Sequence, residues 1–251
     1  MSEMILSARG LVKRFGQVEA LRGADFDVRR GEVVALLGDN GAGKSTLVKT
    51  IAGVHKADGG TIEVDGREVV IDSTQAAHEL GIEVVYQDLA LAPDLTPGEN
   101  AYMGREIFRP GLLGRMGLLD KRRMDDESER AFRELGVKIR DRSAAVGTMS
   151  GGQQQGVAVA RAAMWAKNIL FMDEPTAALG VAQTREVLDL VRRVRDRGVS
   201  VVYISHNLPE VFEIADRLEV LYLGRRIASL KTSEVEMQDV VAAMTGAYKE
   251  A

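Results

Sequence analysis

Apolar residues follow two spacings along this chain. The runs at 33–37 (Val33-Val34-Ala35-Leu36-Leu37), 82–86, 169–172 and 199–204 are short and rich in β-branched residues, as core strands are. Between 181 and 197 the apolar residues fall at Val187, Leu188, Val191 and Val194, the three-to-four spacing of one helix face. Residues 5–14 and 24–29 predict further strands, the second alternating through Phe26 and Val28. Residues 61–66 alternate polar and apolar, as an exposed antiparallel strand does, and Ala57-Asp58-Gly59-Gly60 reads as the turn before it. Ser73 is placed to cap a helix at 73–80. Strands at 218–223 and 226–230 and a helix at 235–244 close the pattern. The expected fold class is α/β, with an antiparallel β layer beside the core.

From residue 96 to about 141 the β-branched runs disappear and Arg, Glu, Leu and Met take over. Thr96-Pro97-Gly98-Glu99 has the form of a capped helix start with proline at its first position. Residues 126–135 predict a helix stopped by Gly136, and 157–165 predict another; 109–111 and 114–117 look like loops. The expectation is a single domain over 1–251, with about 96–160 as a helical subdomain inserted in the core. The chain has 251 residues and a net charge of −4, so bulk charge does not argue for nucleic acid. It has no cysteine, hence no disulfide frame and no thiolate metal site. The first residues lack a basic segment ahead of a long apolar core, so no signal peptide is expected. No apolar run approaches the roughly 18 residues that would span a bilayer.

Gly38-Asp39-Asn40-Gly41-Ala42-Gly43-Lys44-Ser45-Thr46 fits G-x-x-x-x-G-K-[ST], between a strand and a helical pattern. Backbone N–H groups and a helix dipole aimed at one point make a phosphate site there. Lys44 would reach the β- and γ-phosphates, Ser45 would ligate Mg²⁺, and Thr46 would add a donor. At the end of the 169–172 strand stand Asp173 and Glu174, where ligands sit in open α/β sheets. Asp173 would hold Mg²⁺, directly or through water; Glu174 would act as general base or orient the attacking water. His206 follows another core strand and can contact a γ-phosphate or the water, although a lone histidine is more often structural. Gln87 ends the 82–86 strand and can touch Mg²⁺ and the water. Met149-Ser150-Gly151-Gly152-Gln153-Gln154-Gln155 precedes a helix and reads either as an N-cap with a flexible linker or as a second anion device, for which one chain has little use unless it serves another molecule. Phe15 can stack on a base, although an aromatic alone is more often core.

In this order and spacing the motifs resemble those of the ATP-binding subunit of ATP-binding-cassette (ABC) transporters. Phe15 matches the aromatic loop, 38–46 the Walker A loop, Gln87 the glutamine loop, 150–155 the signature, 169–174 Walker B and His206 the switch histidine. The resemblance spans residues 5–246. It implies a P-loop NTPase core with an antiparallel β subdomain and an inserted α-helical subdomain. It also implies ATP and Mg²⁺, with Ser45, Gln87 and Asp173 toward the metal and Glu174, His206 and Gln87 in hydrolysis. Phe15, the 38–46 loop, Ser150, Gly151, Gly152 and Gln153 would hold nucleotide, the last four that of an opposite cassette. Three departures stand out: Met149 for the usual leucine, Phe15 for the commoner tyrosine, and Gly180 for the aspartate that helps couple the two sites of a dimer.

The stretches 100–106, 177–181 and 206–211 look like those of bacterial monosaccharide importers of the ribose, xylose and fructose type. Implied partners are transmembrane permease subunits, a second cassette (a homodimer) and, indirectly, a periplasmic sugar-binding protein. Nucleic acid is not among them. The implied location is the cytoplasmic face of the bacterial inner membrane, peripherally held, with 105–142 toward the permease. A soluble ABC ATPase acting on nucleic acid or the ribosome is the alternative. Such proteins usually carry a long coiled coil or two cassettes, and this chain shows neither. An ATP-holding regulator without turnover is a third reading, against which Glu174 and His206 argue.

Overall fold

The chain opens with two twelve-residue strands, β1 (Met4–Phe15) and β2 (Val18–Arg29), paired antiparallel. β3 (Val33–Leu37) is buried at every residue and leads to helix α1 (Lys44–Ile51). β4 (Gly59–Val64) and β5 (Arg67–Val69) form a hairpin, followed by α2 (Thr74–Glu79) and β6 (Ile82–Val85). Helices α3 (Pro97–Ala101), α4 (Leu112–Arg115), α5 (Lys121–Glu134) and α6 (Gly151–Trp165) come next in succession. β7 (Ile169–Asp173), α7 (Val181–Asp196), β8 (Ser200–Ile204), α8 (Leu208–Ile214), β9 (Arg217–Tyr222), β10 (Arg225–Lys231) and α9 (Met237–Met244) complete the order. This computed structural model describes residues 3–177 and 179–247. Ala178 of the 177–181 stretch and both ends of the 1–251 span lie outside the described residues.

Two sheets carry these elements. One has four antiparallel strands in the order β2-β1-β4-β5. The other has six in the order β10-β9-β3-β8-β7-β6, all parallel except β10. Strand side chains alternate between faces, and β3 shows the consequence. Val33, Ala35 and Leu37 enter a core built with α5, α6, α7 and α9, while Val34 and Leu36 enter a second core with β1, β2 and α1. A central strand covered on both faces has no solvent side to fill with polar residues, which is why 33–37 is apolar throughout.

The two sheets are also pinned by charge. Arg217 of β9, only 5% exposed, donates to the Glu32 carboxylate (2.6 Å), to the Asp27 carbonyl (2.8 Å) and to Glu219. Removing one member of such a buried set typically costs about 3–5 kcal/mol, because the partner charge is left without compensation.

Several expected elements form with shifted ends. The second strand starts at Val18 rather than 24, since its outer half pairs with β1 through Phe15↔Val18. Gly59 and Gly60, expected in a turn, belong to β4, and Gly59 pairs with Val12. The helix expected at 126 begins at Lys121, with the Asp120 side chain accepting from the Arg123 N–H (3.2 Å). The last helix begins at Met237, after a 3-10 turn at Thr232–Glu234.

Three elements were not expected. Residues 114–117 do not form a plain loop, because α4 takes in Gly114. Hydrogen bonds from Arg109 N to Leu118 O (2.9 Å) and Asp120 N to Ile107 O (2.7 Å) close this excursion at its base, and the turn of helix caps it. β5 follows a two-residue turn in which Asp65 and Gly66 both have positive φ (54° and 71°), the handedness that suits a hairpin. α8 is the third. The caps expected at Ser73 and Thr96 form: Ser73 accepts from Ala76 N–H, and Thr96 and Glu99 make the reciprocal box.

Candidate nucleotide and hydrolysis site

The parallel register brings four strand ends to one edge of the six-stranded sheet. Leu36 lies opposite Ile204, Ile204 opposite Asp173, and Met172 opposite Val85. The residues that follow these ends are Gly38, Gln87, Glu174 and His206. That edge is where ligands sit in open α/β sheets.

The loop from Gly38 to Gly43 is held in one shape. Gly38 has φ +148°, and a Cβ there would lie 2.3 Å from the Leu221 carbonyl oxygen, so no side chain fits. The Gly224 N–H donates to Ala42 O (2.9 Å), and the Ala42 N–H to Asp39 O (3.1 Å). Gly43, in the left-handed region, precedes Lys44, the first residue of α1. The free N–H groups of that first turn and the helix dipole suit an anion. The Lys44 ammonium folds over the loop and donates to Gly38 O (2.7 Å) and Asp39 O (3.1 Å). Ser45, Asp39 and Asn40 are exposed, and Thr46 is half-buried.

Across from the loop, β7 delivers Asp173, and the chain then turns at Glu174. Glu174 has φ +50°, unusual for a residue with a side chain. Its N–H donates to Ile204 O (2.9 Å), which fixes the turn to β8. Its carboxylate lies 2.9 Å from His206 Nδ1. The Glu174 side chain is 19% exposed and that of His206 78%. The pair therefore has one sheltered member and one facing solvent.

Burial, and then the Glu174 charge, push the Asp173 carboxyl above its ordinary value. Burial lowers the Lys44 ammonium, against the pull of Glu174, Asp173 and Asp39. A carboxyl raised on folding prefers its proton in the folded state, so its ionised form weakens the ligand-free fold at neutral pH. The penalty fades as pH falls through the raised value. Asp173→Asn should therefore melt at a higher temperature than the parent chain at pH 7. The two melting curves should converge below about pH 4, near the ordinary aspartate value. Equal melting temperatures at pH 7 would contradict the assigned electrostatics.

Gln87 lies exposed just beyond β6. The segment after it is tied to α6, because Arg161 donates to Leu89 O (3.0 Å) and Ala90 O (2.7 Å). Phe15 is 44% exposed at the end of β1. It stands edge-on to His55 (5.1 Å between centroids), with Lys13 Nζ 5.6 Å from its ring centre. An aromatic with an open face and a cation beside it offers a surface for a base.

Ser150, Gly151, Gly152 and Gln153 form a separate group. Ser150 caps the fifteen-residue α6: its Oγ accepts from the Gln153 N–H (3.4 Å), and its own N–H donates to Gln153 Oε1 (3.0 Å). These bonds stay within one turn, while the charges that act on Lys44 are those of Glu174, Asp173 and Asp39. Among the described residues no three His, Cys, Asp or Glu side chains converge as a ready-made metal cage. The donors at the sheet edge (the Ser45 hydroxyl, the Gln87 amide and the Asp173 carboxylate) are hard oxygen ligands, few in number. That set fits Mg²⁺ held largely by substrate phosphates and water.

A model of the ABC transporter family matches residues 21–177. The chain belongs to the ABC transporter family. As an ABC ATPase it couples ATP hydrolysis to transport. It is 49% identical over 247 residues to the fructose import ATP-binding protein FrcA of Rhizobium meliloti, covering 98% of this chain and 95% of that one. It is 43% identical over 241 residues to the xylose/arabinose import ATP-binding protein XylG of Sulfolobus acidocaldarius, covering 96% and 94%. A nucleotide-free ATP-binding cassette from an ABC transporter superposes with TM-score 0.81 at 28% identity, covering 95% of each chain. The ABC ATPase fold class expected from the motifs is thus the observed one, antiparallel β layer and helical insertion included.

Proposed function

We propose that this ABC ATPase is the motor of an importer for a monosaccharide, of the class that includes fructose, xylose and arabinose. The observation that carries the hydrolytic part is the Glu174–His206 pair, 2.9 Å apart, at the strand edge that also presents Lys44. In this reading Lys44 and the N–H groups of residues 38–46 hold the β- and γ-phosphates, and Phe15 carries the base. Ser45, Gln87 and Asp173 would hold Mg²⁺, which when bound neutralises charge on the β- and γ-phosphates. Glu174 takes a proton from the water as its oxygen attacks the γ-phosphorus and the bond to the β-phosphate oxygen breaks. His206, with Nδ1 on Glu174, keeps the carboxylate aimed and leaves Nε2 for a γ-phosphate oxygen. Gln87 orients the water.

The sugar class is inferred from relatives that match nearly the full length of this chain. Their names as import proteins do not favour a role on nucleic acid or the ribosome. Among the described residues no helix is long and apolar enough to cross a membrane. The membrane path in this reading belongs to permease subunits, fed by a periplasmic sugar-binding protein. The cassette, paired with a second copy, lies at the cytoplasmic face of the bacterial inner membrane.

The surface proposed for the permease lies within 105–142. Its most exposed large apolar groups lie in the excursion around α4, where Leu112, Met116 and Phe108 are 73%, 68% and 53% exposed in a stretch that also carries Arg109 and Arg115. A solvated helical face would carry the charges but gains nothing from exposing these apolar groups. Arg115→Cys should crosslink to the permease in membranes that hold the assembled transporter, and those membranes should take up labelled monosaccharide in an ATP-dependent way. Crosslinks confined to the cassette pair would remove this surface from the proposal, and ATP turnover without sugar uptake would remove the substrate class.

A further inference from the structure

Glu174 and His206 belong to two different turns, at the ends of β7 and β8. Something must hold these turns at a fixed separation. The Glu210 carboxylate lies behind both. Thr176 Oγ1 donates to Glu210 Oε2 (2.6 Å), and Tyr203 OH donates to the same oxygen (3.0 Å). Asn207 Nδ2 donates to Glu210 Oε1 (2.6 Å). Thr176 is two residues after Glu174, Asn207 is one residue after His206, and Tyr203 lies on β8 just before that turn. One carboxylate thus takes a bond from each turn and from the strand between them.

We propose that Glu210 is a positioning residue for hydrolysis, which holds the Glu174 turn and the His206 turn at the spacing of the hydrolytic pair. Three features support this. Thr176 is 8% exposed and Tyr203 fully buried, so these donors sit in a low-dielectric setting where a charged acceptor binds them strongly. The turn that carries Glu174 is not relaxed: φ is +50° at Glu174, and the turn is closed by the Ala177 N–H on Glu174 O (3.1 Å). A conformation of that kind persists only where its surroundings over-determine it, and the Thr176–Glu210 bond is one of the constraints. Burial, with the Glu210 charge adding to it, also pushes the Tyr203 hydroxyl far above its ordinary value, so it stays a donor across the working pH range. The hydrogen bonds described for the Glu210 carboxylate go to the two turns and to the strand between them. Glu210 acts through Glu174 and His206.

The proposal rests on the reading that the Glu174–His206 pair handles the water, and the test separates the two. Single-turnover phosphate release is measured on Glu210→Gln, Thr176→Val, Glu174→Gln and the Glu174→Gln/Glu210→Gln double variant, with ATP affinity and melting temperature for each. Glu210→Gln keeps the size of the side chain but turns an amide donor toward groups that are themselves donors. The spacing should slip, and the rate should fall about 10- to 100-fold, the size of loss a misplacement near 1 Å can cause. ATP affinity should stay at the parent value. Thr176→Val should lose rate in the same sense while leaving the charge in place. In the Glu174→Gln background Glu210→Gln should cost nothing further, since residues that act as one unit are not additive. A parental rate for Glu210→Gln beside an inactive Glu174→Gln overturns the proposal and leaves the site reading intact. Parallel loss of affinity and melting temperature in both Glu210→Gln and Thr176→Val would make the cluster merely structural, and also overturns it. Parental turnover by Glu174→Gln would overturn the site reading and the proposal with it.

Discussion

Glu174→Gln should bind ATP as tightly as the parent chain and hydrolyse it about 10²–10⁴-fold more slowly, the usual cost of losing a positioned general base. The substitution is close to isosteric. The backbone bond from residue 174 to Ile204 O is untouched, and a glutamine side chain can still meet His206. What is lost is the ability to accept a proton from water. The carboxylate also pushes Asp173 up and attracts Lys44, so its neutralisation relieves the first and takes an attraction from the second, two effects of opposite sign in the ligand-free site. Affinity and melting temperature should therefore be kept while the rate falls. Because turnover would no longer reset the protein, an ATP-bound dimer should accumulate, visible by gel filtration in excess nucleotide. Parental turnover would move the base elsewhere, and His206, 2.9 Å away, is then the next residue to vary.

Much of this arrangement can be read along the chain, for reasons that differ from element to element. The 33–51 stretch is legible because β3 is covered on both faces and its loop cannot take side chains at Gly38. Ser73, Thr96 and Ser150 are legible because a cap is a bond between residues three apart, within reach of a local pattern. α8 escaped because it shows little helical periodicity, with only Val211 and Ile214 buried. Its signals, Pro209 near the start and apolar groups three apart, are present but brief. α4 escaped for the same reason in a stronger form. None of its residues is buried, so packing leaves no apolar period to find.

The least legible contacts join distant residues. Arg161 reaches carbonyls 71 and 72 positions away, and Thr176 meets Glu210 across 34. No spacing rule marks such pairs, because only the sheet order brings them together. β5 is different again: Asp65-Gly66 between alternating residues is a hairpin signal in plain view.

Lys44→Ala should abolish tight ATP binding, and a mixture with Ser150→Arg should recover part of the activity that each variant lacks alone. The first half follows from the loop. The Lys44 ammonium is the charge that the loop places over the phosphate position, held by Gly38 O and Asp39 O. Its burial is unfavourable in the free protein, so its removal should not unfold the chain, and lost affinity can be separated from lost structure. Unchanged affinity in a titration would refute the assignment of this loop.

The second half follows from the other anion device. Ser150 caps a fifteen-residue helix whose first turn and dipole suit an anion; Ser150 and Gly151 are exposed, and Gly151 has open space where a Cβ would stand. Within one chain Ser150 bonds only to its own turn, among the contacts described for it. If it faces the γ-phosphate held by Lys44 of a second copy, a head-to-tail pair has two composite sites. Each adds donors and excludes water where charge develops. A Lys44→Ala subunit paired with a Ser150→Arg subunit then has one intact site, while the other site carries both lesions. Phosphate release should appear on mixing and rise with protein concentration. Parental activity of Ser150→Arg alone, at a concentration where the chain is monomeric, would mean that each chain hydrolyses ATP unaided and that Ser150 is only a helix cap.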